Sequence, residues 1–363
     1  MSITGLHHIT LVSSDAQRTI NFYTGLLGLR LIKQTVNFDD PGSHHIYFGD
    51  EIGQPGTAIT YFEWPNAPQG RPGIGGTHHF ALGVADSNGL LRWKRRLTDA
   101  GLNVDGPFDR HYFTSIYFQD PDGVILEIAT LGPGWTVDEA PDAIGVAYRE
   151  PPAEMLARNR DEARIRALTW PEPVPLVTED MALRFGMHHI TAIGANIQRT
   201  HAFFHDLLGL KRVKMTSNFD DPTSAHRYWG GGAGGPGTLI TYFERDPRDK
   251  RYHTVRMGKG QTHHYAFAVP DAETQLQFRE KLVRAGLRVS PVMDRVYFKS
   301  IYTNDPDGHI VELATAGPGF LVDEEPSALG QSLRLPPWYE PHRAEIEAVL
   351  KPLRIPVWMP AAS

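Results

Sequence analysis

Seventeen histidines stand in a chain of 363 residues, and ten of them form five His-His doublets, at 7–8, 44–45, 78–79, 188–189 and 263–264. Cysteine is absent, so a metal here would be held by imidazole and carboxylate, and no disulfide, thiolate site or cysteine nucleophile is available. Two glutamates belong with the histidines: Glu127 lies inside the apolar run VILEIAT, and Glu312 inside IVELAT. A carboxylate buried alone in such a run costs on the order of several kcal/mol. It persists if it faces water, pairs with a cation or binds a metal. Six residues are therefore candidate ligands: His8, His79, Glu127, His189, His264 and Glu312. They can be drawn as two groups of two histidines and one glutamate. Such a group leaves coordination positions open, as in non-haem Fe(II) oxygenases; zinc hydrolases and some isomerases use a similar set. The plain alternative, buried polar residues with ordinary hydrogen bonds, suits a lone histidine better than a set that recurs.

The elements that must position these residues also recur. LHHITL at 6–11 matches MHHITA at 187–192, and NFDDP at 37–41 and TYFE at 60–63 reappear at 218–222 and 241–244, each 181 residues on. THHF at 77–80 matches THHY at 262–265, and FTSIYFQDPDGVILEIATLGPG at 113–134 matches FKSIYTNDPDGHIVELATAGPG at 298–319, these being 185 apart. The chain reads as two similar halves, 1–135 and 186–320, joined by a proline-containing linker, 136–185, and followed by a proline-rich tail, 321–363, assigned to packing with one amphipathic helix near 340–352. Each half splits again. A β-type run opens every quarter, and a helix follows, with Ser14 or Asp15, Asp86 and Asp271 as N-caps and Gly28, Gly101, Gly209 and Gly286 past the ends. Alternating β-branched and aromatic runs come next, with DPDG as a turn between two of them. The spacing predicts four βαβββ units. Strict strand alternation puts residues 6, 8 and 10 on one face and 7 and 9 on the other, so the two histidines of a doublet should not both aim at one ion. His44 and His45 read as exposed strand residues, and the NFDDP repeats as loops whose aspartates cap or turn the chain.

Composition narrows the function. Lys plus Arg number 36 and Asp plus Glu 42, a net charge of −6, which leaves no electrostatic footprint for nucleic acid or an anionic membrane. Hydrophobic residues make up 41%, enough for a packed core, and no apolar run is long enough to cross a bilayer. The first residues lack a basic, then apolar, leader pattern, so cytoplasm is the default expectation. HExxH, GxSxG, P-loop and Rossmann fingerprints are absent.

Opening His doublets, a late strand glutamate and four βαβββ units resemble the vicinal oxygen chelate (glyoxalase/bleomycin resistance/extradiol dioxygenase) superfamily. The pattern LHHIT…THHYAFAV…YFKSIY…DPDGHIVE resembles its ring-cleaving dioxygenases that open hydroquinones, the chlorohydroquinone 1,2-dioxygenase type, over nearly the whole chain, including the tail after GPGF. The resemblance implies an α+β fold of four modules in two similar halves that form open, incomplete β-barrels, the modules pairing first with last and second with third. It implies Fe(II) held by His8, His264 and Glu312, although imidazole and carboxylate suit Mn(II) as well. The other pairing would gather His79, Glu127 and His189 as a second metal site. Hydroquinone-type relatives usually have that set degraded; here it is intact by residue type, and two iron sites, a structural site or a vestige all stay open. Arg295 and Tyr302 fall where relatives place an Arg and a Tyr near the substrate oxygen, with Arg110 and Tyr117 as counterparts. His263 would orient the site or hand on a proton, and His7 and Thr10 flank His8 on the substrate side. The implied reaction inserts both atoms of O2 into a hydroquinone-type aromatic. A catechol extradiol dioxygenase, a glyoxalase-type metalloisomerase and a metal-free small-molecule-binding protein are the alternatives. Self-association is not required, because the halves already pair internally.

Overall fold

A computed structural model describes residues 1–362. Sixteen strands make two eight-stranded sheets. Module one supplies β1 (Gly5–Ser13), β2 (Arg30–Asn37), β3 (Asp40–Gly49) and β4 (Ala58–Glu63), and module two β5 (Gly76–Val84), β6 (Asp105–Asp109), β7 (Thr114–Gln119) and β8 (Ile125–Thr130). Module three supplies β9 (Met187–Gly194), β10 (Lys211–Ser217), β11 (Ala225–Gly230) and β12 (Leu239–Glu244), and module four β13 (Thr262–Val269), β14 (Met293–Asp294), β15 (Phe298–Asn304) and β16 (Ile310–Pro318).

The first sheet runs β14-β15-β16-β13-β1-β4-β3-β2 and the second β10-β11-β12-β9-β5-β8-β7-β6. Module one therefore shares a sheet with module four, and module two with module three, as the resemblance implies. At each centre two opening strands meet antiparallel, β1 with β13 and β5 with β9. Each is flanked by a parallel partner, β4 or β16 in one sheet and β12 or β8 in the other. A strand between two neighbours is covered on both sides. All nine residues of β1 and all eight of β9 are buried, and their sequences are correspondingly apolar apart from His, Thr and the terminal Ser13.

Helix starts follow the caps. The Asp15 carboxylate accepts from the backbone N–H of Arg18, Asp86 from Asn88 and Gly89, and Asp271 from Thr274, each satisfying a free amide of the first turn. The first and third helices differ from expectation. Each begins as a short α-helix (Ala16–Ile20, Ile197–His201) and widens into a π-turn (Asn21–Leu26, Ala202–Leu207). The wider turn lets two consecutive aromatics, Phe22 with Tyr23 and Phe203 with Phe204, both reach the core.

The DPDG turns rivet the sheets to each other. The Asp120 carboxylate accepts from the amides of Asp122 and Val124 and from the Tyr61 hydroxyl at 2.8 Å, so module two is tied to module one. Asp305 accepts from the amides of Asp307 and His309 and from the Tyr242 hydroxyl at 2.5 Å, tying module four to module three. Between the turns one apolar core runs through both sheets, from Leu6, Ile9 and Leu11 to Phe80, Leu82, Ile190 and Phe267.

The repetition carries on past residues 134 and 319. GPGWTVDEAPDAIGVAYREPP at 132–152 answers GPGFLVDEEPSALGQSLRLPP at 317–337. These segments close the sheet edges. Wholly buried Lys33 on β2 pairs with Asp323 at 2.6 Å and with Glu324; Lys214 on β10 pairs with Asp138 and Glu139, both at 2.6 Å. Removing one partner of such a buried pair strands a charge and costs about 3–5 kcal/mol. Tyr148 then bridges Met215 and Leu333 bridges Gln34, equivalent places on β10 and β2. The expected tail helix is present as Arg343–Val349.

Candidate metal centres

The six candidate ligands fall into two triads, one in the middle of each sheet. In the first, His8 Nε2 and His264 Nε2 lie 3.3 and 3.0 Å from Glu312 Oε2 and 3.2 Å from each other. In the second, His79 Nε2 and His189 Nε2 lie 2.8 and 3.3 Å from Glu127 Oε2 and 3.3 Å apart. All six side chains are buried. Two ligands about 2.1 Å from one ion and at right angles to each other stand about 3.0 Å apart, so these separations suit three adjacent corners of an octahedron.

The carboxylates test the fit. Glu312 Oε2 and both oxygens of Glu127 are buried and receive no hydrogen bond. An anion left so in apolar strands calls for a cation. Burial by itself would raise both carboxyl pKa values. The His8 and His264 imidazoles overcome this at Glu312, and His189 and His79 at Glu127, holding each well below the usual carboxylate range. Both groups are therefore anions. The donor set matches a divalent ion with open coordination positions.

Four β-bulges explain four of the five doublets. The sheet ladder skips His7, between Leu6–Phe267 and His8–Ala266, and skips His263, between Thr10–His264 and Leu11–Thr262. In the other sheet it skips His78 and His188 in the same manner. A bulge sets two residues against one and breaks the alternation, so both rings of a doublet reach the same region. The strict two-residue period is thereby broken, yet only one histidine of each doublet joins a triad, as expected. The Nδ1 atoms within each of these four doublets are 2.8 Å apart at 7–8, 78–79 and 263–264 and 2.9 Å apart at 188–189. A ligand imidazole offers Nε2 to a metal when Nδ1 carries the proton, and here that proton is donated to the neighbouring Nδ1. Burial lowers His7, His78, His188 and His263 to about 3, so each is a neutral acceptor.

A cavity of about 610 Å³ opens on the first triad, and one of about 430 Å³ on the second. His263, Arg295 and Tyr302 line the first. Arg295 Nε donates to the Tyr302 hydroxyl at 3.1 Å, and the guanidinium lies 3.3 Å from Asp39. The Tyr302 ring stands edge-on to His264, 5.7 Å between centroids, and burial raises its phenol pKa. Phe298 packs on both His7 and His8.

Two expected substrate contacts are placed elsewhere. His7 lies behind His8 and does not line the cavity. Thr10 shares a strand with His8, but its hydroxyl is engaged by the neighbouring β4, accepting from Thr60 at 2.8 Å, and it does not line the cavity. His44 and His45, read as exposed, are buried. His45 is a cavity-wall residue that sequence reasoning missed. Its Nε2 meets Thr60 Oγ1 at 2.9 Å and its Nδ1 the Tyr47 hydroxyl at 3.1 Å. Its signal was available, because His226 recurs 181 residues later with Thr241 and Tyr228 in the same roles. The NFDDP loops also do more than turn the chain: Asn37, Phe38 and Asp39 line one cavity and Asn218 to Asp221 the other.

A third group, His201, His205 and Asp206, sits on the surface. His201 Nδ1 accepts from the Trp229 indole N–H at 2.9 Å, which puts the His201 proton on Nε2 and blocks that nitrogen as a ligand.

Comparison with known proteins decides the family. The model of the Glyoxalase/Bleomycin resistance protein/Dioxygenase superfamily matches residues 5–128 and 186–313. The chain belongs to that superfamily. It is 34% identical over 97% of its length, and 97% of the relative's, to the provisionally named ring-cleaving dioxygenase MhqO of Bacillus subtilis. It is 28% identical, with 95% of each chain covered, to the chlorohydroquinone/hydroquinone 1,2-dioxygenase of Sphingobium indicum. A crystal structure of a provisionally named dioxygenase from Bacillus subtilis superposes with a TM-score of 0.77 at 32% identity, covering 98% of this chain and 99% of that one. Within the superfamily the chain is an enzyme of the ring-cleaving dioxygenase group. No helix among the described residues is long and apolar enough to cross a membrane.

Proposed function

We propose that this enzyme opens a hydroquinone-type aromatic with O2, using Fe(II) held by His8, His264 and Glu312. Mn(II) suits the same ligands. The carrying observation is the buried triad with an unpartnered carboxylate oxygen, set at the base of a cavity walled by aromatic and proton-handling side chains. When bound, the ion would anchor ring oxygen and dioxygen side by side and let electron density pass between them. The chain's own residues do the rest.

Phe38, Phe62, Trp64 and Phe298 give the ring flat apolar walls and keep water away. Phe62 and Trp64 stack nearly parallel, at 10° and 5.5 Å. Arg295, fixed by Asp39, holds the Tyr302 hydroxyl, so that this phenol donates toward oxygen on the substrate. Its raised pKa keeps the proton in place until it is needed. His263, neutral and on the cavity wall, orients His264 through Nδ1 and presents Nε2–H to the substrate side. His45 is neutral too, because burial lowers its pKa, and it sits in the relay Tyr47–His45–Thr60–Thr10. That relay crosses β3, β4 and β1 and can pass a proton from one hydroxyl to the next through the neutral imidazole, with no net uptake. The cytoplasm, with small aromatic quinols as substrates, is the proposed setting.

Oxygen uptake by Fe(II)-loaded protein tests the reading. Hydroquinone is expected to support uptake, and hemithioacetal none. Retention of far less than one metal equivalent, with an unchanged phenotype in His8→Ala, sinks it in favour of a metal-free binding protein.

A further inference from the structure

The proposed reaction uses the first triad alone and leaves open what the second does. We propose that His79, Glu127 and His189 form a second divalent-metal centre with the first centre's chemistry, and that Arg160 narrows its mouth so that it admits only rings without a bulky substituent. The proposal rests on the first triad being read as a metal centre.

The inner parts are duplicated position by position. Around the second triad stand His78 for His263, His226 for His45, Tyr228 for Tyr47, Phe113 for Phe298, Tyr117 for Tyr302, Arg110 for Arg295 and Asp220 for Asp39. The donor separations match those of the first triad within half an ångström. Both oxygens of Glu127 lack a donor, against one oxygen of Glu312, so the demand for a cation is at least as strong.

The mouths differ. The segment joining the halves hydrogen-bonds its Ala157 N–H to the Phe219 carbonyl, which pins it over the loop at 218–221. Three residues on, Arg160 enters the cavity with its side chain only 8% exposed. Its guanidinium lies 4.2 Å over Phe108 and 2.7 Å from Asp220, whose other oxygen is 3.0 Å from Arg110. A carboxylate held between two guanidinium groups forms a bar across the opening. The tail does the equivalent bracing at the first centre, with the Tyr339 hydroxyl donating to the Phe38 carbonyl, yet no tail residue lines that cavity. The 430 Å³ space is accordingly smaller than the 610 Å³ one.

Anaerobic titration of the whole protein with Co(II), followed by its visible absorption, is expected to saturate at two equivalents. Glu127→Ala and Glu312→Ala should each saturate at one, and the double variant should bind at least about 100-fold more weakly throughout. Should Glu127→Ala fail to fold, His79→Ala replaces it. One equivalent in the unchanged protein, lost in Glu312→Ala and untouched by Glu127→Ala, overturns the second centre and leaves the first in place. The mouth is read in Co(II)-loaded Glu312→Ala, where only the second centre reports. Hydroquinone should shift the absorption bands at a concentration at least about tenfold below that needed for phenylhydroquinone, and adding Arg160→Ala should shrink the gap to about twofold. Equal binding before that change, or a gap that survives it, overturns the gate.

Discussion

Trp64 and Arg245 occupy the same place in the two halves, the first residue beyond β4 and β12. Trp64 extends the aromatic wall of Phe62, whereas Arg245 lies 5.6 Å over Phe243 and pairs with Asp221 at 3.1 Å. The Ser300 hydroxyl donates to Glu312, while its counterpart Ser115 makes no hydrogen bond. Arg160 has no equivalent in the first cavity. Against these differences, the ligands, the bulged histidines and the Tyr–Arg–Asp set are the same. A duplicated scaffold can vary a cavity mouth freely, since mouth residues need only fill space and balance charge. Coordination allows less. Three donors must meet within a few tenths of an ångström, and each histidine among them needs its own bulge and partner ring.

The comparison breaks most sharply at the carboxylates. Glu312→Ala is expected to lower turnover of a substituted hydroquinone by at least about 100-fold, because it removes a ligand outright. Glu127→Ala should change the same rate by less than about twofold, because the bulky ring does not reach that centre. Oxygen-electrode rates on the two variants decide it; comparable losses would mean that the centres are not independent.

Tyr302→Phe comes next, with a loss on the order of 100-fold in kcat and little change in KM, the size expected for a proton donor acting at the reacting oxygen. Tyr117→Phe should leave that kcat alone and weaken only turnover of unsubstituted hydroquinone measured in a Glu312→Ala background. Equal effects of the two substitutions on the substituted ring would remove the distinction.

His7→Phe and His188→Phe act through a ligand rather than on substrate. Each replaces the acceptor of a ligand's Nδ1–H with an apolar ring of similar breadth. A loss of about 10- to 100-fold in metal affinity is expected, at its own centre alone. Co(II) titrations that show both centres weakened by one substitution would tie the two sheets together energetically.

These sites were partly written in the chain. A glutamate inside an apolar strand, met twice, was enough to find both carboxylates, and the Asp caps marked three helix starts. The bulges were not legible, because an extra residue in one strand is defined only by what it pairs with. That is why alternation separated histidines that the structure places side by side. His45 was missed for a related reason: β3 looks amphipathic and exposed until the sheet curls and its face becomes a cavity wall. Thr10 shows the converse, a correct face whose hydroxyl is taken up by Thr60 on the neighbouring strand. The repeat of 132–152 in 317–337 was readable, and with it the acidic pairs that answer Lys33 and Lys214. Proline-rich composition hid it.

An effect on stability and not on the centres concerns the rivets, where the halves reach one result by different residues. Tyr61 and Tyr23 surround Asp120, while Tyr242 and Tyr265 surround Asp305; Tyr23 is replaced by Phe204 in the second half, and Tyr265 answers Phe80 in the first. Burial raises Asp120 from 3.8 to about 6, against the hydrogen bonds that favour its anion, and raises Asp305 in the same direction. The folded chain thus holds the Asp120 proton more tightly than the unfolded chain. Its stabilising share is complete below pH 4 and is lost as pH rises through 6, a decline on the order of 1–3 kcal/mol. Asp120→Asn keeps an acceptor for the Asp122 and Val124 amides and can donate to Tyr61, yet it cannot titrate. The variant should therefore gain stability relative to the parent between pH 4.5 and 7.5, read from urea midpoints with the slope unchanged. A stability difference constant across that range would show that Asp120 is ionised throughout, and that tyrosine and amide donors outweigh burial at this turn.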